Sequence, residues 1–221
     1  MSFNDYNDDL QQIGIYFGTD KYDHNHSFAG KSYLHIYNNY FKHLRTNPVN
    51  FLEIGVKDGQ SHRMWSKYFH SNSKIYGLDI DPRCSVNTSN NIKIFIGSQA
   101  DENIKNEMIN DCNDYLDVVL DDGSHINTLT IESFNLFWPH LRSGGLYVIE
   151  DLGCSYLEND TKEHITKWPG MHYNTTLEHT NNRETMNQFF NSIIEKIDKS
   201  LTNEFEWIHF YSKICIIKKQ G

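Results

Sequence analysis

Residues 50–59 read NFLEIGVKDG, an apolar run that meets an acid, Glu53, and then two spaced glycines, Gly55 and Gly59. Phe51, Leu52 and Ile54 have the apolar density of a buried strand, and the glycines bracket a turn into a helix. A second such run, KIYGLD at 74–79, ends in Asp79. Strand, glycine loop, helix, strand and acid make up the βαβ unit that holds a nucleoside-bearing cofactor across the carboxyl ends of parallel strands. The spacing is Glu-x-Gly-x-x-x-Gly and not the Gly-x-Gly-x-x-Gly of a dinucleotide site. A dinucleotide site sets a helix N-terminus against a pyrophosphate. Glu53 would repel that group and suits a cofactor with a cationic amino group, such as S-adenosylmethionine.

The rest of the chain extends this unit in both directions. Upstream, Tyr33, Ile36, Tyr37, Tyr40, Phe41 and Leu44 recur at three and four, which predicts an amphipathic helix ending before Pro48 and covering the first strand. Downstream, strands are predicted at 92–96, 117–120 and 146–149, and helices at 61–70, 102–112 and 128–140. Residues 142–145, RSGG, read as a turn. After a helix over 183–197, apolar runs at 205–211 and 213–218 lie so close together that only an antiparallel hairpin can join them. The expected fold is α/β, with about seven strands that run parallel at first and close with a reversed pair. Residues 1–48 form an N-terminal helical and loop segment on the substrate side, and 49–221 the cofactor-binding domain. The polar, aperiodic stretch 153–182 is expected to be a lid or substrate loop.

The formal charge of −9 opposes a nucleic-acid partner, because affinity for a phosphate backbone comes from clustered Lys and Arg. The four cysteines have neither paired nor metal-knuckle spacing. Cys112 and Cys215, in or beside apolar runs, read as buried thiols. A reducing, cytoplasmic setting follows, with no signal peptide and no membrane span. The many Tyr and Trp residues point to self-association into a homo-oligomer.

Strands one, two, four and five all end in carboxylates at one edge of the sheet, where open α/β folds place ligands. Asp79 can accept from both ribose hydroxyls, or cap a turn. The denser set is Asp121, Asp122, His125, Glu150 and Asp151. If strands four and five are neighbours, Asp122 meets the Glu150–Asp151 pair, and carboxylates held that close call for a cation. All-oxygen ligation suits Mg²⁺, Mn²⁺ or Ca²⁺; the plainer alternative is that these acids cap helices and turns. His125 could take a proton from a hydroxyl beside that ion, or donate to a backbone carbonyl at a helix start. His24, His26, His164, His172 and His179 are rival bases in loops.

Taken in order, GTDK near the N-terminus, LEIGVKDGQSHRMW, YGLDIDP, GSQAD, LDDGSH and GGLYVIEDL resemble the metal-dependent sugar O-methyltransferases related to macrocin O-methyltransferase. The resemblance covers residues 15 to 157. It implies a Rossmann-like class I fold with strand order 3-2-1-4-5-7-6, S-adenosylmethionine as methyl donor, and Mg (or Mn) held by Asp122, Glu150 and Asp151. His125 would be the general base, working with Asp122 on a sugar hydroxyl. Glu53, Gly55, Gly59 and Asp79 would grip methionine and ribose. Ser98, Gln99 and Asp101 would border the adenine, with Asp121 on the same cofactor side. The acceptor would be a nucleotide sugar, a polysaccharide precursor or a glycosylated natural product; the alternatives are a catechol-like or other small hydroxylated acceptor, or a catalytically inactive cofactor-binding scaffold. Where relatives often carry His-x-Tyr before the N-terminal helix, this chain has Lys31-Ser32-Tyr33.

Overall fold

Seven strands pair in the order β3-β2-β1-β4-β5-β7-β6. They are β1 (Asn50–Ile54), β2 (Lys74–Asp79), β3 (Ile92–Ile96), β4 (Leu116–Asp121), β5 (Leu141–Ile149), β6 (Phe205–Tyr211) and β7 (Ile214–Lys219). The first five pair in parallel, and β7 runs antiparallel to both β5 and β6, so the strand order and the closing hairpin are as expected. The computed structural model describes residues 9–22, 32–156 and 182–221. Most of the 153–182 stretch and all five rival histidines of the loops fall outside these residues.

Side-chain alternation along the strands divides the core in two. Leu52, Ile54, Val119, Tyr147, Ile149 and Ile217 face one side. There they meet α4 (Glu102–Asp111), α5 (Asn127–Phe137) and α6 (Arg183–Asp198). Phe51, Val118, Leu120, Val148 and Ile216 face the other side. They pack on α1 (Leu10–Phe17), α2 (Tyr33–Phe41) and α3 (Gln60–Tyr68). Strands buried on both faces explain why the runs read as continuously apolar. The second layer is aromatic: Trp65 contacts the rings of Tyr37, Phe41, Phe51 and Phe69. α2 thus covers the first strand as its periodicity predicts.

Three boundaries differ from expectation, each for a local reason. The predicted turn at 142–145 lies within β5, whose pairing with β4 shifts register between Leu116 and Val118. Gly144, at φ 72°, donates its N–H to Gln220 at 3.3 Å, and Arg142 Nε lies 2.6 Å from Asp117 Oδ1. With partners on both sides, the glycines form a bulge and not a reversal. The helix predicted to reach residue 140 stops at Phe137 and tightens into a 3-10 turn, Trp138–His140, around Pro139, which has no N–H to continue the ladder. α2 likewise gives way to a 3-10 segment, Lys42–Thr46, before Pro48.

All four cysteines are thiols, and Cys112 and Cys215 are buried as expected. Burial pushes the Cys112 thiol up to about 11. Among the described residues no helix is long and apolar enough to cross a membrane.

Candidate active site

The site begins as a continuation of the strand ladder. Gly55 donates its N–H to Leu78 at 2.8 Å, Asp122 to Ile54 at 2.9 Å and Glu150 to Asp121 at 2.9 Å. The first residues past β1, β4 and β5 therefore line up along the carboxyl edge. Gly55 sits at φ 94°, and a Cβ there would lie 2.1 Å from the Asp122 carbonyl oxygen, so the close approach of these two strand ends requires glycine.

On the β1–β2 side Asp79 is met by backbone and Glu53 by side chains. Asp79 Oδ2 accepts from the N–H groups of Val56 (2.8 Å) and Lys57 (3.1 Å), and Oδ1 from that of Asp81 (2.9 Å). The carboxylate expected to reach a ribose also shapes the glycine loop. Gly59, at φ 71°, is the residue from which α3 starts. Glu53 is fully buried: Oε2 accepts from Ser61 Oγ at 2.7 Å and lies 3.3 Å from His62 Nδ1. Its Oε1 accepts no hydrogen bond and lies 3.2 Å from Lys21 Nζ. Burial lowers the His62 pKa below the usual histidine value, which leaves a neutral imidazole under the loop.

The 98–101 segment separates into three local roles. Ser98 Oγ accepts from the Ala100 N–H at 3.2 Å, and Asp101 caps α4 through the Asn103 N–H at 2.8 Å. Gln99 donates to both oxygens of Asp121 at 3.3 Å and accepts from the Ser124 N–H at 2.9 Å, joining the β3 and β4 loops. Asp121 is buried beneath the surface of the site, and burial pushes it up to about 6, against the Gly123 N–H that favours its charge.

At the β4–β5 end the acids converge on one ammonium. Lys21 Nζ lies 2.5 Å from Asp122 Oδ2, 2.9 Å from Glu150 Oε2 and 3.2 Å from Glu53 Oε1. Two tyrosines one turn apart on α2 complete the enclosure. Tyr33 donates to Asp151 Oδ1 at 2.6 Å and Tyr37 to Glu150 Oε1 at 2.7 Å. His125 Nε2 lies 3.7 Å from Asp122 Oδ1 and 3.8 Å from Asp151 Oδ2. Asp122, His125 and Asp151 each offer a ligand atom within 4.8 Å of the others, a grouping with His125 where the expected metal set has Glu150. His125 and Asp151 both adopt positive φ, 54° and 51°, which non-glycine residues hold only when the surroundings impose it.

The electrostatics agree with this crowding. Burial alone would lower the Lys21 pKa, but Asp122, Glu150 and Glu53 together hold it well above the ordinary lysine range. Burial, then repulsion by Asp122, raises Glu150 despite Lys21, and burial raises Asp122. Burial and then Glu150 push the Tyr37 phenol well up, so it stays a donor. Burial leads the upward shifts of Glu150, Asp122 and Tyr37, and the surrounding carboxylates account for that of Lys21.

The structure places Asp122, Glu150, Asp151 and His125 together, as the strand order requires. Sequence reasoning assigned no role to Lys21, Tyr33, Tyr37 or His62. The signal for Lys21 was the GTDK segment itself, a charged residue in a short motif far from the acids. Tyr37 reads as an apolar position alone, and Tyr33 as that and as part of Lys31-Ser32-Tyr33, although a phenol carries a donor at its tip.

The comparisons with known proteins point the same way. Residues 52–152 match the model of a methyltransferase domain family, Methyltransf_24. The chain is 38% identical over 141 residues to demethylmacrocin O-methyltransferase of Streptomyces fradiae, covering 61% of this chain and 32% of that protein. It is 34% identical over 169 residues to mycinamicin VI 2''-O-methyltransferase of Micromonospora griseorubida, covering 73% of this chain and 38% of that protein. The chain thus spans about a third of the length of these curated relatives. The mycinamycin-pathway methyltransferase MycE, solved with Mg and SAH, superposes with a TM-score of 0.72 at 29% identity, over 96% of this chain and 55% of that one. The chain has the class I methyltransferase fold and is similar in sequence to the sugar O-methyltransferases of the macrocin type.

Proposed function

We propose that this chain is the methyl-transferring domain of an S-adenosylmethionine-dependent, Mg-assisted O-methyltransferase acting on a sugar hydroxyl of a glycosylated small molecule. One observation carries the reading: carboxylates from β1, β4 and β5, those of Glu53 and Glu150 buried, converge on a single cation position beside a glycine loop. Support comes from MycE, solved with Mg, SAH and mycinamycin VI. The four thiols accord with a reducing cytoplasm.

Each residue has a role in this scheme. Glu53, with a buried oxygen that accepts no hydrogen bond, would take the amino group of the methionine moiety. Asp79 would turn its remaining lone pairs to the ribose. Gln99 would hold Asp121 and the Ser124 backbone in place along the cofactor's path, with Ser98 and Asp101 beside it. S-adenosylmethionine supplies a methyl group on a sulfonium, and a divalent ion held by Asp122, Glu150 and Asp151 lowers the pKa of an acceptor hydroxyl. His125, 3.7 Å from Asp122 and 3.8 Å from Asp151, would receive the acceptor's proton on its imidazole. Tyr33 and Tyr37 would fix the two acids of the Glu150–Asp151 pair, and the rate would come largely from alignment.

Calorimetric titration with S-adenosylhomocysteine, with and without Mg²⁺, tests the reading. Binding at about micromolar affinity should vanish in Glu53→Ala and persist in Asp122→Ala, with methyl transfer to a sugar-bearing acceptor lost in both. A folded wild-type protein that binds no S-adenosylhomocysteine would overturn it.

A further inference from the structure

Lys21 is 2% exposed, and its ammonium contacts three carboxylates from three different strand ends. Two of the three, Asp122 and Glu150, belong to the metal set proposed above, and this inference rests on that reading. Their oxygens lie 2.5 and 2.9 Å from Nζ. A divalent ion bound to those same oxygens at about 2.1 Å would need the space that the ammonium fills. Two cations cannot share it.

We propose that Lys21 is the resident cation of the carboxylate site, and that it competes with the divalent ion for Asp122 and Glu150. Its second role follows from burial. Carboxylates held this deep without a partner are strongly destabilising, so the ammonium keeps the metal-free site assembled. Its route of withdrawal is also built in. The lysine stem is flexible and its donors rotate, and Glu53 Oε1, 3.2 Å away, is a carboxylate oxygen that accepts no hydrogen bond. An arriving ion would leave Lys21 paired with Glu53, the carboxylate proposed to take the cofactor's amino group. Metal and cofactor occupancy would then be linked through one side chain, which makes Lys21 a positioning residue and not a catalytic one.

The test is Mn²⁺ binding, read from the electron paramagnetic resonance of free Mn²⁺, on full-length wild type and Lys21→Met, with thermal melts in chelator and in millimolar MnCl₂. Competition predicts that Lys21→Met binds Mn²⁺ tighter by about tenfold or more, because a like charge has left the site. It also predicts a lower melting temperature in chelator, largely restored by Mn²⁺, where wild type responds little. If Lys21→Met is unfolded in chelator, recovery of a cooperative melt on refolding with Mn²⁺ supports the proposal, and failure to recover overturns it. Equal or weaker Mn²⁺ affinity in a folded Lys21→Met also overturns it. Absence of Mn²⁺ binding in both proteins would instead sink the metal reading, and the competition with it.

Discussion

The two ends of the site neutralise their acids in different ways. At the β1–β2 end, Asp79 is met by three backbone N–H groups from Val56, Lys57 and Asp81, no more than 23 residues away in the chain. At the β4–β5 end, Asp122, Glu150 and Asp151 are met by side chains of Lys21, Tyr33 and Tyr37, from 101 to 129 residues away. Backbone donors come with the turn and cannot be exchanged or withdrawn. A lysine and two tyrosines on a separate layer can move. The first end is a fixed cradle for Asp79, and the second is a set of charges whose partner can change, as the proposed metal-assisted chemistry would require.

The largest effect should come where the two ends touch. Gly55→Ala would impose a Cβ 2.1 Å from the Asp122 carbonyl oxygen at a φ of 94°. Backbone cannot swing aside as a side chain can. The left-handed conformation and the overpacking together should cost about 3 kcal/mol or more, a large share of the roughly 5–15 kcal/mol of a typical domain. Urea melts should show this as a lowered midpoint or an unfolded protein. A wild-type melt would mean that the ends are not in contact.

Asp121 supplies the next test, as a pH profile. Its folded-state pKa is raised to about 6 by burial. Above the unfolded value of about 3.9, the folded protein retains a proton that the unfolded chain has released. Stability should therefore fall as pH rises through the window from about 4 to 6, by on the order of 2–3 kcal/mol from this group. Glu150 and Asp122, also raised, add to the same slope. Asp121→Asn should remove its share, so that in chelator the variant gains on wild type between pH 4.5 and 7. Parallel profiles would show that Asp121 does not titrate there.

Asp79→Ala separates the two ends directly. It frees the three backbone donors that the carboxylate holds, at a cost of about 2 kcal/mol, and loosens the loop that would receive the cofactor. S-adenosylhomocysteine should bind at least about tenfold more weakly, with Mn²⁺ affinity unchanged. A matching loss of Mn²⁺ affinity would mean that the ends act as one unit.

The same contrast explains what could be read in advance. Glycine spacing, the acid that closes β2 and the apolar density of β1 and β4 are local signals, and they predict a parallel sheet; the strand order follows only from the family resemblance, and the convergence of Asp122 with Glu150 depends on β4 and β5 being neighbours. Residues 142–145 misled because a bulge and a turn use the same glycines, and the choice depends on partners such as Gln220 and Asp117. Lys21 was unreadable for a related reason. A lysine in a polar stretch is ordinarily solvated, and only the packing of α1 and α2 on the sheet makes it the counter-ion of acids a hundred residues on. Tyr33 and Tyr37 satisfy the apolar period of α2 equally well whether or not their hydroxyls find an acid.

Those tyrosines give the smallest and sharpest comparison. Both donate to acids of the Glu150–Asp151 pair, yet Glu150 is buried while Asp151 is partly exposed. Tyr37→Phe leaves a buried carboxylate oxygen without its donor, and should cost about 1.5–3 kcal/mol, the range for hydrogen bonds to charged groups. Water can replace the phenol at Asp151, so Tyr33→Phe should cost less than about 1 kcal/mol. The difference should narrow once Mn²⁺ is present, because a cation at Glu150 neutralises the charge that Tyr37 partly serves. Thermal melts of the two variants, in chelator and in MnCl₂, measure all three quantities. If Tyr33→Phe proves the more damaging, Asp151 is the better enclosed of the two acids, and the proposed division between a buried and a solvent-reachable carboxylate at this end of the sheet is wrong.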